Sequence, residues 1–210
     1  MDLSAIRLVE LTDINDDLLL PWLDIYERAF QPEEKEPVST HLSLLKQKMR
    51  GEKTATSMLA AVDADGALVG IIKDYVASYV NTCALWYFAT SVELRGQGLG
   101  AHIYRLWADK IRAQGVRALI YEVEIPEEGK TPEEQALSRR RIDFYKRLGA
   151  KRITGIHYMQ GVEFYPPVPM HLMIHSLKAP LSAQEAFDIA KAIFEDDLEQ
   201  VGPLGLEGLS

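Results

Sequence analysis

Thr90-Ser91-Val92-Glu93-Leu94-Arg95-Gly96-Gln97-Gly98-Leu99-Gly100 is the stretch on which the fold turns. It follows an apolar run, Ala84-Leu85-Trp86-Tyr87-Phe88-Ala89, and precedes apolar residues at Leu99, Ile103, Leu106, Trp107 and Ile111. That order reads as strand, glycine-rich turn, helix. A helix N-terminus presents N–H groups without intrahelical partners and a partial positive charge, which suits a phosphate. Glycines at 96, 98 and 100 remove the Cβ atoms that would hold a ligand away from those amides. Arg95 adds a permanent cation at the mouth of the turn. The physics points to an anionic ligand of the pyrophosphate type.

Arg95, Gly98 and Gly100 form Arg-x-x-Gly-x-Gly, which resembles the acyl-CoA pyrophosphate loop of the GNAT acetyltransferase superfamily. Gly96, Gly98 and Ala101 also fit G-x-G-x-x-A, the dinucleotide fingerprint, with Glu122 near the distance of its ribose-binding acid. Context favours the acetyltransferase. A dinucleotide fold continues as alternating strands and helices. Here the residues before the loop read as antiparallel strands, and two antiparallel strands and a helix close the chain. Phe144-Tyr145-Lys146-Arg147-Leu148-Gly149 resembles the F/L-Y-x-x-x-G that ends the superfamily's fourth helix. Leu119-Ile120-Tyr121-Glu122-Val123-Glu124 resembles its central L-x-L-E-V strand. Three motifs in order are far more specific than one glycine pattern.

The resemblance implies an α/β fold: a mixed, mostly antiparallel central sheet flanked by helices, with a C-terminal helix. It implies acetyl-CoA as co-substrate, no metal, and direct transfer to a primary amine of a small molecule. In this superfamily the fourth and fifth strands splay at a bulge that takes the pantetheine arm. Thr90 and Val92 fall where the fourth strand's backbone bonds that arm, and Arg95, Gly96, Gln97, Gly98, Leu99 and Gly100 fall on the pyrophosphate cradle. Tyr145 falls where the family supplies a proton donor for the leaving sulfur. Positioning of the thiol alone is the other reading of that tyrosine. Many members carry Asn seven residues before it, where it contacts the coenzyme; Ser138 stands there. One of Arg139, Arg140 and Arg141, with Arg141 the foremost, would meet a coenzyme phosphate or else lie on a solvated helix face.

An attacking amine must be neutral, so a base is needed. Glu122 and Glu124 alternate along their strand and point to one face. Glu122 matches the family's acidic strand position and ranks first as base; a salt bridge to the arginine-rich helix is the competing reading. His102, His157, His171 and His175 are weaker candidates. Tyr26-Glu27-Arg28-Ala29-Phe30-Gln31-Pro32-Glu33-Glu34-Lys35 resembles, loosely, the Y-E-x-A-F-P-x-x-E-R segment of some bacterial small-molecule members. There Glu33, Glu34 and Glu36 would attract a cationic acceptor or keep a loop soluble. A non-catalytic acyl-CoA sensor and a protein N-terminal or lysine acetyltransferase are the alternatives.

The bulk properties agree. The chain of 210 residues is 47% hydrophobic and 26% charged, within the range of a globular domain. Its net charge of −8 argues against nucleic acid. No apolar run reaches membrane-spanning length, and Met1-Asp2-Leu3-Ser4 does not read as a leader, so no membrane partner is expected. The lone Cys83 fits a reducing cytoplasm and reads as a strand residue rather than a nucleophile. A homodimer remains open. Strands are expected near 6–11, 58–62, 67–75, 81–90, 118–125, 153–159 and 170–176. Helices are expected over 18–30, 40–50, from the glycine loop to Gly115, 132–148 and from Ser182 to about 201. One domain is expected over 1–201, with 202–210 an unanchored tail.

Overall fold

The computed structural model describes residues 2–94, 96–161 and 165–208, apart from the side chain of Asp196. The chain divides into two compact units. The first comprises Met1–Val76 and Leu85–Ala113, the second Ala77–Ala84 and Gln114–Ser210.

β1 (Arg7–Glu10), β2 (Thr56–Val62) and most of β3 (Leu68–Ala77) and β4 (Thr82–Thr90) belong to the first unit, and the strands follow one another in that order in the sheet. β1 pairs antiparallel with β2, and β2 with β3. The hairpin between β2 and β3 closes on Asp63, whose carboxylate accepts from the N–H groups of Asp65 and Ala67. Helices α1 (Leu19–Ala29), α2 (Val38–Met49) and α3 (Leu99–Ala113) complete the unit. In α1 the buried residues Leu19, Trp22 and Tyr26 recur at spacings of three and four, the period that puts side chains on one helix face. They pack with Leu44 and Leu45 of α2 and Met58, Ile71 and Tyr87 of the strands. Each aliphatic side chain buried this way contributes roughly 1.5–3 kcal/mol. Trp22 keeps its indole N–H satisfied on Leu59 O at 3.0 Å.

The connection between α1 and α2 is pinned by two buried phenols. Tyr26 donates to Glu36 O at 2.9 Å, Tyr87 donates to Glu34 O at 3.0 Å, and the N–H of Glu36 donates to the Tyr87 hydroxyl at 3.0 Å.

In the second unit β5 (Ala118–Glu124), β6 (Lys151–Gln160), β7 (Val168–Ser176) and β8 (Leu198–Glu207) pair in the order β5-β7-β6-β8, antiparallel throughout. α4 (Pro132–Arg147) opens on a capping box between Thr131 and Glu134, with Pro132 in the first turn where no N–H is needed. α5 (Ala183–Phe194) opens on the expected box between Ser182 and Glu185. The α/β class and the mostly antiparallel strands agree with the sequence reading. Among the described residues no helix is long and apolar enough to cross a membrane.

The C-terminus departs from that reading. The helix expected to reach 201 stops at Phe194, and Glu195 turns back with φ +34°. Residues 202–207, expected as an unanchored tail, form the second half of β8. The pairing runs Tyr158↔Leu198 to Ile156↔Gln200, then resumes at Thr154↔Gly205. Residues 201–204 lie in the register shift between the two stretches, so Pro203 removes no ladder hydrogen bond. Gly155 lies opposite, at φ +78°, and a Cβ there would come within 2.2 Å of Pro203 O. The glycines and proline that read as breakers are what the bulge requires.

Candidate functional site

In the first unit β4 ends at Thr90, which is half-buried, and the N–H of Ser91 donates to Val69 O at 3.0 Å. One 3-10 turn, Val92–Leu94, follows, with Val92 exposed. Arg95 lies outside the described residues. Gly96 and Gly98 adopt φ +82° and +78°, the left-handed region that side chains disfavour. A Cβ at either would meet nothing within 4 Å, so open space lies over this backbone. Gln97 is exposed and Leu99 is buried, so Leu99 can offer a ligand only its backbone. The first bond of α3 runs from His102 N to Gly98 O at 3.1 Å, which leaves the amides of the opening turn, Gly100 included, facing the N-terminal end. An exposed glycine turn feeding a helix N-terminus fits the diphosphate of acetyl-CoA.

In the second unit Tyr145 sits near the end of α4, 7% exposed, its ring 4.3 Å from that of Tyr121. Burial pushes its hydroxyl up to about 12, with Arg141 pulling down and Glu124 pushing up. The phenol is protonated at neutral pH and able to donate. Ser138, Arg141 and Tyr145 lie at i, i+3 and i+7 and share a face of α4. Ser138 is buried, and its hydroxyl donates to Glu134 O at 3.0 Å within its own helix. Arg141 forms an ion pair with Glu124. Of the arginine block it is the member engaged with β5; Arg139 and Arg140 are exposed.

Glu122 and Glu124 go to different neighbours. The Glu122 carboxylate accepts from the Tyr158 hydroxyl and from Gln160 Nε2, the latter at 3.0 Å. Burial raises its proton affinity, the two donors oppose that, and the charge of Asp197 adds to it. Glu124 is the acid that bonds the arginine-rich helix. The histidines are less suited: burial holds His175 below the ordinary imidazole range, and burial with the charge of Arg152 does the same to His171.

The acidic segment between α1 and α2 is largely committed to structure. Glu34 accepts from Gln31 N in a capping box, and Glu36 forms an ion pair with Lys73. Lys73, on β3, is 1% exposed and was not anticipated. Burial lowers its proton affinity and Glu36 raises it again. Lys73 Nζ also lies 3.3 Å from His41 Nδ1. Burial, and then Lys73, drive His41 down to about 3, so the ring is neutral. An ammonium facing Nδ1 places the imidazole proton on Nε2. The adjacent Asp74, 1% exposed, accepts from Trp107 Nε1 at 2.7 Å and is pushed up to about 6, chiefly by burial. The signal was present: Lys73-Asp74 interrupts the apolar run Gly70-Ile71-Ile72, and His41 shares an apolar helical stripe with Leu44 and Leu45. Among the described residues no group of three or more His, Cys, Asp or Glu is placed to hold a metal ion.

The sequence model of the Acetyltransferase (GNAT) family matches residues 19–150, more than half of the chain. No curated protein matches in sequence. Solved structures share the fold. A GNAT-family acetyltransferase from Bacteroides thetaiotaomicron aligns with a TM-score of 0.69 at 20% identity, over 90% of this chain and 98% of that one. The spermidine/spermine N-acetyltransferase of Vibrio cholerae aligns at 0.59 and 12% identity, over 92% and 98%. An acetyltransferase from Acinetobacter baylyi aligns at 0.58 and 18%, over 86% and 96%. The glycine turn, the β5 acid strand and the α4 tyrosine all lie within the matched residues, and the chain belongs to the GNAT family of acetyl-CoA-dependent N-acetyltransferases.

Proposed function

We propose that this acetyltransferase moves the acetyl group of acetyl-CoA directly to the primary amine of a small molecule, without a covalent enzyme intermediate. The observation that supports the donor most is the exposed turn at Gly96 and Gly98, both at positive φ with open space above them, at the N-terminus of the 15-residue α3. Thr90, Val92 and the residues from Arg95 to Gly100 would hold the coenzyme through backbone groups and the Arg95 cation. Ser138 and Arg141 would be its secondary contacts from α4, Arg141 while also paired with Glu124.

Bound acetyl-CoA supplies an activated acyl carbonyl. The acceptor nitrogen bonds to that carbon and the carbon–sulfur bond breaks. Glu122 takes the proton the nitrogen must lose; its burial raises its proton affinity above the ordinary carboxylate range, which favours accepting that proton. Tyr145 gives a proton to the departing sulfur, and its raised proton affinity keeps that proton available.

The net charge of −8 favours a cationic acceptor. With Glu36 tied to Lys73 and Glu34 to its capping box, Glu33 is the acid of this segment left to draw such an amine. Thiol release from acetyl-CoA against polyamines, aminoglycosides, amino acids and peptides tests the reading. Polyamines come first, because one structural neighbour is a spermidine/spermine N-acetyltransferase. Release with peptides alone would overturn the small-molecule assignment, and release with no amine would favour a sensor. Gly98→Asp should abolish acetyl-CoA binding by calorimetry; unchanged affinity in the folded variant refutes the donor site. Tyr145→Phe should lower kcat by about a hundredfold and leave acetyl-CoA affinity within a few fold. A fully active variant removes the acid role.

A further inference from the structure

Glu122 belongs to a three-residue arrangement that the motifs do not contain. Tyr158 is 4% exposed, and its ring lies 4.9 Å from that of Phe194, so packing aims its hydroxyl. That hydroxyl donates to Glu122 Oε1. Gln160, two residues on and therefore on the same face of β6, donates its amide Nε2 to Glu122 Oε2 at 3.0 Å. Each carboxylate oxygen has one neutral donor.

The Gln160 amide cannot be turned round, because its oxygen would then face the carboxylate. The present orientation leaves Gln160 Oε1 buried with no partner among the described residues. A buried acceptor without a hydrogen bond is unfavourable. The amide is thus oriented for Glu122 and against its own satisfaction. The other groups facing Glu122 are Leu172, opposite it on β7, and the carboxylate of Asp197. Among the described residues no Lys or Arg forms an ion pair with it, in contrast to Glu124, which Arg141 holds.

We propose that Tyr158 and Gln160 are positioning residues for Glu122, holding its carboxylate in one orientation and favouring its ionised form without locking it in an ion pair. The proposal rests on the reading of Glu122 as the base. Burial raises the proton affinity of the acid and a buried cation would lower it. The two neutral donors oppose burial without supplying a counter-charge.

The test is the titration of Glu122 by carboxyl-carbon NMR in the full-length protein, with no ligand added. Tyr158→Phe keeps the ring and its packing, and Gln160→Met keeps the side-chain length. Each should raise the midpoint by about one pH unit, the equivalent of one hydrogen bond to a charged group. Asp197→Asn should lower it. A midpoint that stays put in either folded donor variant overturns the proposal. The acid limb of kcat/KM, with spermidine as probe amine, should move upward in parallel. If the midpoint moves and the limb does not, the hold on Glu122 stands and its reading as the base falls.

Discussion

β3 in the first unit and β5 in the second each carry two residues of the Lys, Asp and Glu type within an apolar strand, adjacent on one and alternating on the other. On each strand one is met by a counter-charge and the other by neutral donors. On β3 the pair is adjacent, Lys73 and Asp74, so the side chains leave opposite faces and both are enclosed. Lys73 meets a counter-charge, Glu36, and Asp74 meets an indole N–H. On β5 the acids alternate as Glu122 and Glu124; one is held by a phenol and an amide, the other by Arg141. A counter-charge fixes protonation, whereas neutral donors leave it adjustable. The first arrangement is suited to holding structure, the second to moving a proton.

Removing the counter-charge of Lys73 tests the structural side of that contrast. Glu36→Gln leaves a buried ammonium without its partner and should cost about 3 kcal/mol in chemical unfolding. Lys73→Met should cost much less, because the remaining carboxylate is 31% exposed and can be hydrated. Equal losses would show that the pair does not govern this region. On β5 the prediction concerns rate. Glu122→Gln should lower kcat/KM roughly a hundredfold near neutral pH and abolish the acid limb of its pH profile; a limb that persists transfers the role to another group.

Asp74 links the two behaviours, being enclosed yet titratable. Its folded value of about 6 lies above the ordinary aspartate value of 3.8. The group therefore favours the folded state below pH ~4 and loses that advantage as the pH rises through about 6. Asp74→Asn retains an acceptor for Trp107 and has no charge to bury. It should raise stability by about 3 kcal/mol at pH 8 and by little at pH 4. A pH-independent difference between variant and parent would show that the carboxylate is already hydrated.

The sequence carried the local features well. The glycine turn, the capping boxes at Thr131 and Ser182 and the α4 tyrosine are short-range patterns, readable within a few residues. What it concealed depends on residues far apart. Tyr158 and Gln160 meet Glu122 across 36 and 38 positions, and Glu36 meets Lys73 across 37. β8 was concealed for a related reason: Val201-Gly202-Pro203-Leu204 has the composition of a breaker, and the strand continues past it only because the register with β6 shifts there, opposite Gly155. Arg95, central to the sequence reading, lies outside the described residues, so its part in the turn stays within the proposal.

The two phenols that pin the segment between α1 and α2 have a thermodynamic consequence. Tyr26 and Tyr87 secure the backbone at Glu34 and Glu36 from beneath, through bonds of 2.9–3.0 Å. A ligand that meets this segment finds a surface already formed and loses little loop entropy in binding. Association there would proceed at the rate of encounter rather than of loop closure. The Glu36 amide, bonded to a buried hydroxyl, should exchange its hydrogen slowly, in step with the core and not with the surface around it.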